Sequence, residues 1–188
     1  MLALAAGKAR RFGSDKRLAR LPDGRYCIEA FLDQLADSDL PLLVCLDPAD
    51  NEVAELLSAR GCPHLPCPRA AEGMGGTLAQ GITLLPDWDG VLVALADMPW
   101  IAADTYRIVA SQLTPDIICI PTYHGERGHP VGFGRQFFDL VAALTGDAGA
   151  REIVDKHSSS IRQIAVADPA IRRDVDVPED LTGHGRLY

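Results

Sequence analysis

Leu4-Ala5-Ala6-Gly7 runs into a basic stretch in which Lys8, Arg10, Arg11, Lys16, Arg17 and Arg20 fall within thirteen residues. An apolar run that ends in glycine lets backbone N–H groups approach an anion, because no Cβ obstructs it. Arg and Lys across such a loop suit a polyphosphate, Arg as a planar fork and Lys as a point charge. The spacing is neither G-x-x-x-x-G-K-[ST] nor G-x-G-x-x-G. It is a different phosphate loop or an ordinary solvated turn. Two acidic segments stand out besides it. Asp97 ends an apolar run and opens Asp97-Met98-Pro99. It is either a carboxylate at the carboxyl end of a central strand, where α/β folds bind ligands, or a turn former that caps the next helix. Asp174 and Asp176 are spaced by two, so on an extended segment both point to one side. Pro178, Glu179 and Asp180 after them suit a helix N-terminus.

Three further clusters carry polar chemistry. Glu72-Gly73-Met74-Gly75-Gly76-Thr77-Leu78 is a glycine-rich entry to a helix starting near Thr77. It is either a flexible loop or a place where backbone comes close to a base and ribose. Arg127-Gly128-His129-Pro130 and Gly146-Asp147-Ala148-Gly149-Ala150-Arg151 each combine glycine with cationic or hydrogen-bonding side chains, which suits a second anionic group. Cys62, His64 and Cys67 could offer three metal ligands, but a structural zinc site wants four and no second pair is near. They are expected to be residues of a small strand and its loop.

These residues need a scaffold, and the chain supplies the pattern of one. Continuous apolar runs at 2–6, 41–46, 90–96 and 116–121 predict strands buried on both faces. Helix-like apolar spacing covers 26–36, 51–59, 76–84 and 103–112 between them, with Asp50 or Asn51 as a cap and Gly61 after the second helix. Beyond residue 122 an amphipathic segment spans 136–144, a glycine turn leads to a helix ending near His157, and 161–166 is a last strand. Strand–helix alternation predicts an α/β fold with a doubly wound, mostly parallel sheet. At 188 residues one domain is expected, with regular strand–helix alternation over 1–122 and a changed pattern over 123–188.

A hydrophobic fraction of 47% and a charged fraction of 23% are those of an ordinary globular protein. The net charge of −8 argues against a nucleic-acid surface, so a bound polyanion must use the local basic patch. Membrane-span and signal-peptide patterns are lacking. Five scattered cysteines fit a reducing, cytoplasmic setting.

Taken together, LAAGKARRFGSDK, EGMGGTL, LADMP, RGHP with GDAGAR, and DVDVPEDL occur in the order found in the MobA-like nucleotidyltransferases. The chain resembles that family over nearly its whole length, and within it the MocA-type molybdenum cofactor cytidylyltransferases. The resemblance implies a Rossmann-like three-layer sandwich of the nucleotide-diphospho-sugar transferase type. It implies Mg²⁺ held by Asp97 and Asp176, with Asp174 less securely placed; two carboxylates plus phosphates and water are how Mg²⁺ is commonly held. Catalytic roles then fall on Arg11, Lys16, Asp97 and Asp176. Nucleotide contacts fall on Leu4, Ala5, Ala6, Gly7, Arg11, Lys16, Gly73, Gly75, Thr77 and Asp97, and acceptor contacts on Arg127, His129, Pro130, Asp147 and Arg151. The implied reaction is CMP transfer from CTP to molybdopterin with release of pyrophosphate, Ala6 favouring CTP over GTP. Alternatives are a guanylyltransferase using GTP, and a non-catalytic cofactor-binding accessory of a molybdenum hydroxylase apoenzyme. A monomer or weak dimer is expected. The departures are Ala9 where the family often has serine, Gly76 and Thr77 in place of serines, Val177 in place of threonine, and a short start to the first strand.

Overall fold

The computed structural model of the chain describes residues 1–7, 12–85, 87–147 and 149–182. In chain order the elements are β1 (Leu2–Leu4), α1 (Cys27–Asp37), β2 (Leu43–Leu46), α2 (Asn51–Ala59), β3 (His64–Pro66), α3 (Met74–Thr83), β4 (Gly90–Leu95) and α4 (Ala103–Ser111). There follow β5 (Ile118–Tyr123), β6 (Glu126–Arg127), β7 (Val131–Gly134), α5 (Phe138–Ala142), α6 (Arg151–Lys156) and β8 (Ile161–Ala165).

The strands form one mixed sheet in the order β3-β2-β1-β4-β7-β5. The β3–β2–β1–β4 block is parallel, as the buried apolar runs require. Ile118 of β5 lies between Phe133 of antiparallel β7 and Ile161 of parallel β8, so β8 lies on the far side of β5. The hairpin strand β6 lies beside β5 on the same side as β7. Between β6 and β7 the register with β5 slips by two residues, and Arg127-Gly128-His129-Pro130 contains the slip.

Side chains alternate to the two faces of each strand, and both faces are covered. Ala3, Ala5, Val44, Leu92 and Ala94 pack against Ile28, Phe31, Leu32 and Leu35 of α1, Val53 and Leu57 of α2, and Tyr106 and Val109 of α4. Leu2, Leu4, Cys45, Val91 and Val93 face Leu78 and Ile82 of α3, Val141 of α5 and Ile153 of α6. The result is a three-layer sandwich. In α1 the apolar positions 28, 31, 32 and 35 have the spacing of a single stripe, and burying each side chain stabilises the fold by roughly 1.5–3 kcal/mol. No helix among the described residues is long and apolar enough to cross a membrane.

Several local expectations change. The third helix begins at Met74 rather than at 76 or 77, so Gly75 and Gly76 lie inside it. Close packing is the reason: a Cβ on Gly76 would sit 2.2 Å from the Arg69 carbonyl oxygen, and one on Gly75 2.8 Å from that of Gly146. Asp50 occupies the N-cap position of α2 but makes no capping bond, because its carboxylate faces Arg17 and the Asp47 N–H instead. The 158–160 connector is a turn of 3-10 helix.

Candidate active site

The carboxyl ends of β1 and β4 lie side by side, with the Ala96 N–H donating to the Leu4 carbonyl at 3.1 Å. Asp97 follows immediately. Its own carbonyl accepts from the Val175 N–H at 2.8 Å, which brings the segment carrying Asp174 and Asp176 alongside. Asp180 fixes that segment further by accepting from the Asp176 and Val177 N–H groups, both at 2.9 Å. Residues 178–182 form a 3-10 turn, a shorter helix start than the Pro-Glu-Asp pattern predicts. Ligand atoms of Asp97, Asp174 and Asp176 all fall within 4.8 Å of one another.

Lys16 closes this cluster. Asp15 caps a short 3-10 turn, Lys16–Leu18, by accepting from the Arg17 N–H. The turn presents the Lys16 ammonium 2.7 Å from Asp97 Oδ2 and 3.5 Å from Asp176 Oδ1. Burial alone would lower the Lys16 pKa, but the Asp97 and Asp176 carboxylates outweigh it and raise it. Asp174 moves the other way from an ordinary ion-paired acid: burial, then the charges of Asp97 and Asp176, push its carboxyl upward. All three groups are carboxylates, which suits a hard divalent cation such as Mg²⁺ or Mn²⁺.

Arg17, the residue after Lys16, is buried, and its guanidinium is engaged by protein oxygens. Its guanidinium reaches Asp50 at 2.5 Å, both Asp15 oxygens at 2.8 and 2.6 Å, and the Ala5 carbonyl. It therefore ties the end of β1 to the turn that carries Lys16. Nothing in the sequence distinguished it from its basic neighbours except an acid two residues before it. Arg11, assigned a catalytic role from the sequence, lies outside the described residues, as do Lys8, Ala9 and Arg10.

A cleft of about 390 Å³ opens beside the cluster. Of the expected nucleotide contacts, Leu4, Ala5, Ala6, Gly7, Lys16, Gly73, Thr77 and Asp97 line it, together with Arg17, Glu72 and Met74. Gly75 does not: its N–H donates to the Gly146 carbonyl at 2.8 Å, joining α3 to the 146–147 turn. Gly73 has φ +112°, a conformation that favours glycine, and a Cβ there would collide with the Asp147 carboxylate. The Thr77 hydroxyl donates to the Gly73 carbonyl within the helix at 3.2 Å.

The expected acceptor residues separate. Asp147 lines the same cleft as the nucleotide set. Val131 pairs with Val93, so residues 129–130 lie beside the carboxyl end of β4, close to Asp97. His129 Nδ1 is buried with no hydrogen-bond partner among the described residues, and burial pulls the ring's pKa down against the opposing charge of Asp97. Pro130 is buried. Arg127 is exposed on β6, and Arg151, 89% exposed on α6, reaches only Asp155 at 3.9 Å. Neither arginine lines the cleft. Of the cysteine–histidine group, the Cys67 thiol donates to the Leu65 carbonyl at 3.9 Å, and the His64 Nδ1 lies 3.0 Å from the Cys62 carbonyl.

The model of the MobA-like NTP transferase domain matches residues 1–161. The chain belongs to the MobA-like NTP transferase family. As a member it is a nucleotidyltransferase. Among solved structures it is similar to Rv0371c from Mycobacterium tuberculosis H37Rv, with 27% identity and a TM-score of 0.83, covering 95% of this chain and 92% of that one. A manganese complex of Rv0371C is 26% identical with a TM-score of 0.78, covering 98% of this chain and 97% of that chain. Molybdopterin-guanine dinucleotide biosynthesis protein A from Archaeoglobus fulgidus shares the fold at 16% identity, TM-score 0.62, covering 96% and 93%. No curated protein matches the sequence.

Proposed function

We propose that this MobA-like transferase moves CMP from CTP to the terminal phosphate of molybdopterin, with or without its metal, and releases pyrophosphate. One observation carries the site assignment: the Lys16 ammonium and three carboxylates converge beside a cleft that Leu4–Gly7, Lys16 and Asp97 line. That Rv0371C forms a complex with manganese supports the use of a divalent cation. Here Asp97 and Asp176 would hold Mg²⁺, with Asp174 as a third carboxylate. When bound, the ion neutralises charge on the triphosphate and on the departing pyrophosphate.

The chain's own residues then place the reactants. The 4–7 backbone and the Gly73 turn would receive the nucleoside, and Lys16 the triphosphate, with Arg11 assigned to it by sequence alone. The acceptor phosphate oxygen bonds to the α-phosphorus while the bond to the β-phosphate bridging oxygen breaks. Catalysis is largely placement and charge stabilisation. The acceptor oxygen is already ionised near neutral pH, so His129, held neutral by burial, need not act as a base. It is assigned to acceptor contact with Pro130, Arg127, Asp147 and Arg151. In this reading residues 1–122 mainly bind nucleotide and 123–188 mainly bind acceptor, although Asp147 joins the nucleotide wall. The identity of the base rests on Ala6, whose methyl leaves less room than glycine, and molybdopterin as acceptor rests on the RGHP and GDAGAR resemblance.

Turnover of CTP, GTP and ATP with molybdopterin and Mg²⁺, followed by pyrophosphate release, tests the proposal. CTP is expected to be the best donor. A GTP preference would reassign the base. Tight molybdopterin binding with no nucleotide consumed would favour the accessory role.

A further inference from the structure

The Lys16 ammonium does not stand beside the acidic cluster as a spectator. It lies 2.7 Å from Asp97 Oδ2 and 3.5 Å from Asp176 Oδ1, the two carboxylates assigned to the divalent ion. We propose that Lys16 is the resident cation of this site, competing with free divalent metal until a nucleotide triphosphate draws its ammonium away. The proposal rests on the metal-site reading above and adds the order in which the site fills.

Two observations support it. An N–H at 2.7 Å takes up a lone pair and the space that an oxygen-coordinated ion, bound at about 2.0–2.1 Å, would need on the same oxygen. The ammonium is only 13% exposed, so solvent screens its repulsion of an incoming dication poorly. Three carboxylates and one ammonium leave the cluster acidic, which is why it still attracts a dication once the ammonium has another partner. A triphosphate supplies that partner, since it offers anionic oxygens at the mouth of the same cleft.

The consequence is opposite signs in two measurements. Mn²⁺ binding to the nucleotide-free protein, followed by electron paramagnetic resonance at fixed pH and ionic strength, is expected to tighten on the order of tenfold in Lys16→Met. Nucleotide binding, measured with CTP in the absence of metal, is expected to weaken in the same variant. Lys16→Gln serves as a second neutral variant should Lys16→Met fail to fold, and Lys16→Arg, which keeps the charge, is expected not to tighten Mn²⁺ binding. Unchanged or weaker Mn²⁺ binding in both neutral variants would overturn the proposal. Asp97→Asn separates the two ideas. If it abolishes Mn²⁺ binding while the neutral lysine variants fail to tighten it, the metal site stands and the competition falls. If Asp97→Asn leaves Mn²⁺ binding unaltered, the metal-site reading falls and takes this proposal with it.

Discussion

Arg17 donates to four oxygens from three segments: both carboxylate oxygens of Asp15, one of Asp50, and the Ala5 carbonyl. Removing it takes the charged donor away from two partly buried carboxylates and the Ala5 carbonyl, the costly half of breaking an ion pair. Arg17→Ala is therefore expected to destabilise the fold by about 3–5 kcal/mol in urea unfolding, more than loss of an exposed pair such as Arg135–Asp87 would. Asp174 gives the pH-dependent counterpart. Its folded pKa is raised, so the folded state holds that proton more tightly than the unfolded chain does. The charged form thus costs stability at neutral pH, and the cost vanishes as pH falls through the raised value to the ordinary carboxylate range. Asp174→Asn is expected to raise the Tm of the metal-free protein at neutral pH, with the gain shrinking in acid, while weakening Mn²⁺ binding. A Tm gain that persists unchanged in acid would contradict this. Much of the cluster was legible at this scale: Asp97, Asp176 and Lys16 stand in recognisable motifs, and the two-residue spacing put Asp174 on the same side as Asp176. The role of Arg17 was not legible, because its partners Ala5 and Asp50 come together only through folding.

Among the elements, α3 shows how packing overrides helix propensity. Replacing an interior helical glycine by alanine ordinarily stabilises by up to about 1 kcal/mol. At Gly76 the added Cβ would meet the Arg69 carbonyl at 2.2 Å and the Glu72 Cβ at 2.9 Å. Gly76→Ala is instead expected to destabilise by about 1–3 kcal/mol in thermal or urea unfolding. This is why the sequence suggested a glycine loop up to Gly76, whereas the chain is helical from Met74. The strand–helix alternation was readable because buried parallel strands are continuous apolar runs. The antiparallel insertion of β7 was not, since four residues, two of them glycine, carry no usable period. A further bond with no readable signal is the reach of Asp168 to the Ala102 N–H and Thr105 hydroxyl at the start of α4.

At the scale of the whole molecule, several distant stretches of an acidic chain build one site. The β1–β4 pairing sets Asp97 beside the 4–7 backbone, and the Val175 N–H bond to the Asp97 carbonyl brings in Asp174 and Asp176. The α/β alternation and the order of motifs were readable because they are local. The meeting of Asp147 with the Gly73 turn was not, because it depends on the α3–α5 layer closing over one face of the sheet. The proposed chemistry at this junction is metal-dependent nucleotidyl transfer. Its most direct test is pyrophosphate release from CTP in the presence of molybdopterin and Mg²⁺, comparing the wild-type chain with a folded Asp97→Asn variant. Steady release by the wild type is expected, abolished by chelation and reduced at least about a hundredfold in the variant. No release with CTP, GTP or ATP, or release that survives Asp97→Asn undiminished, would contradict it.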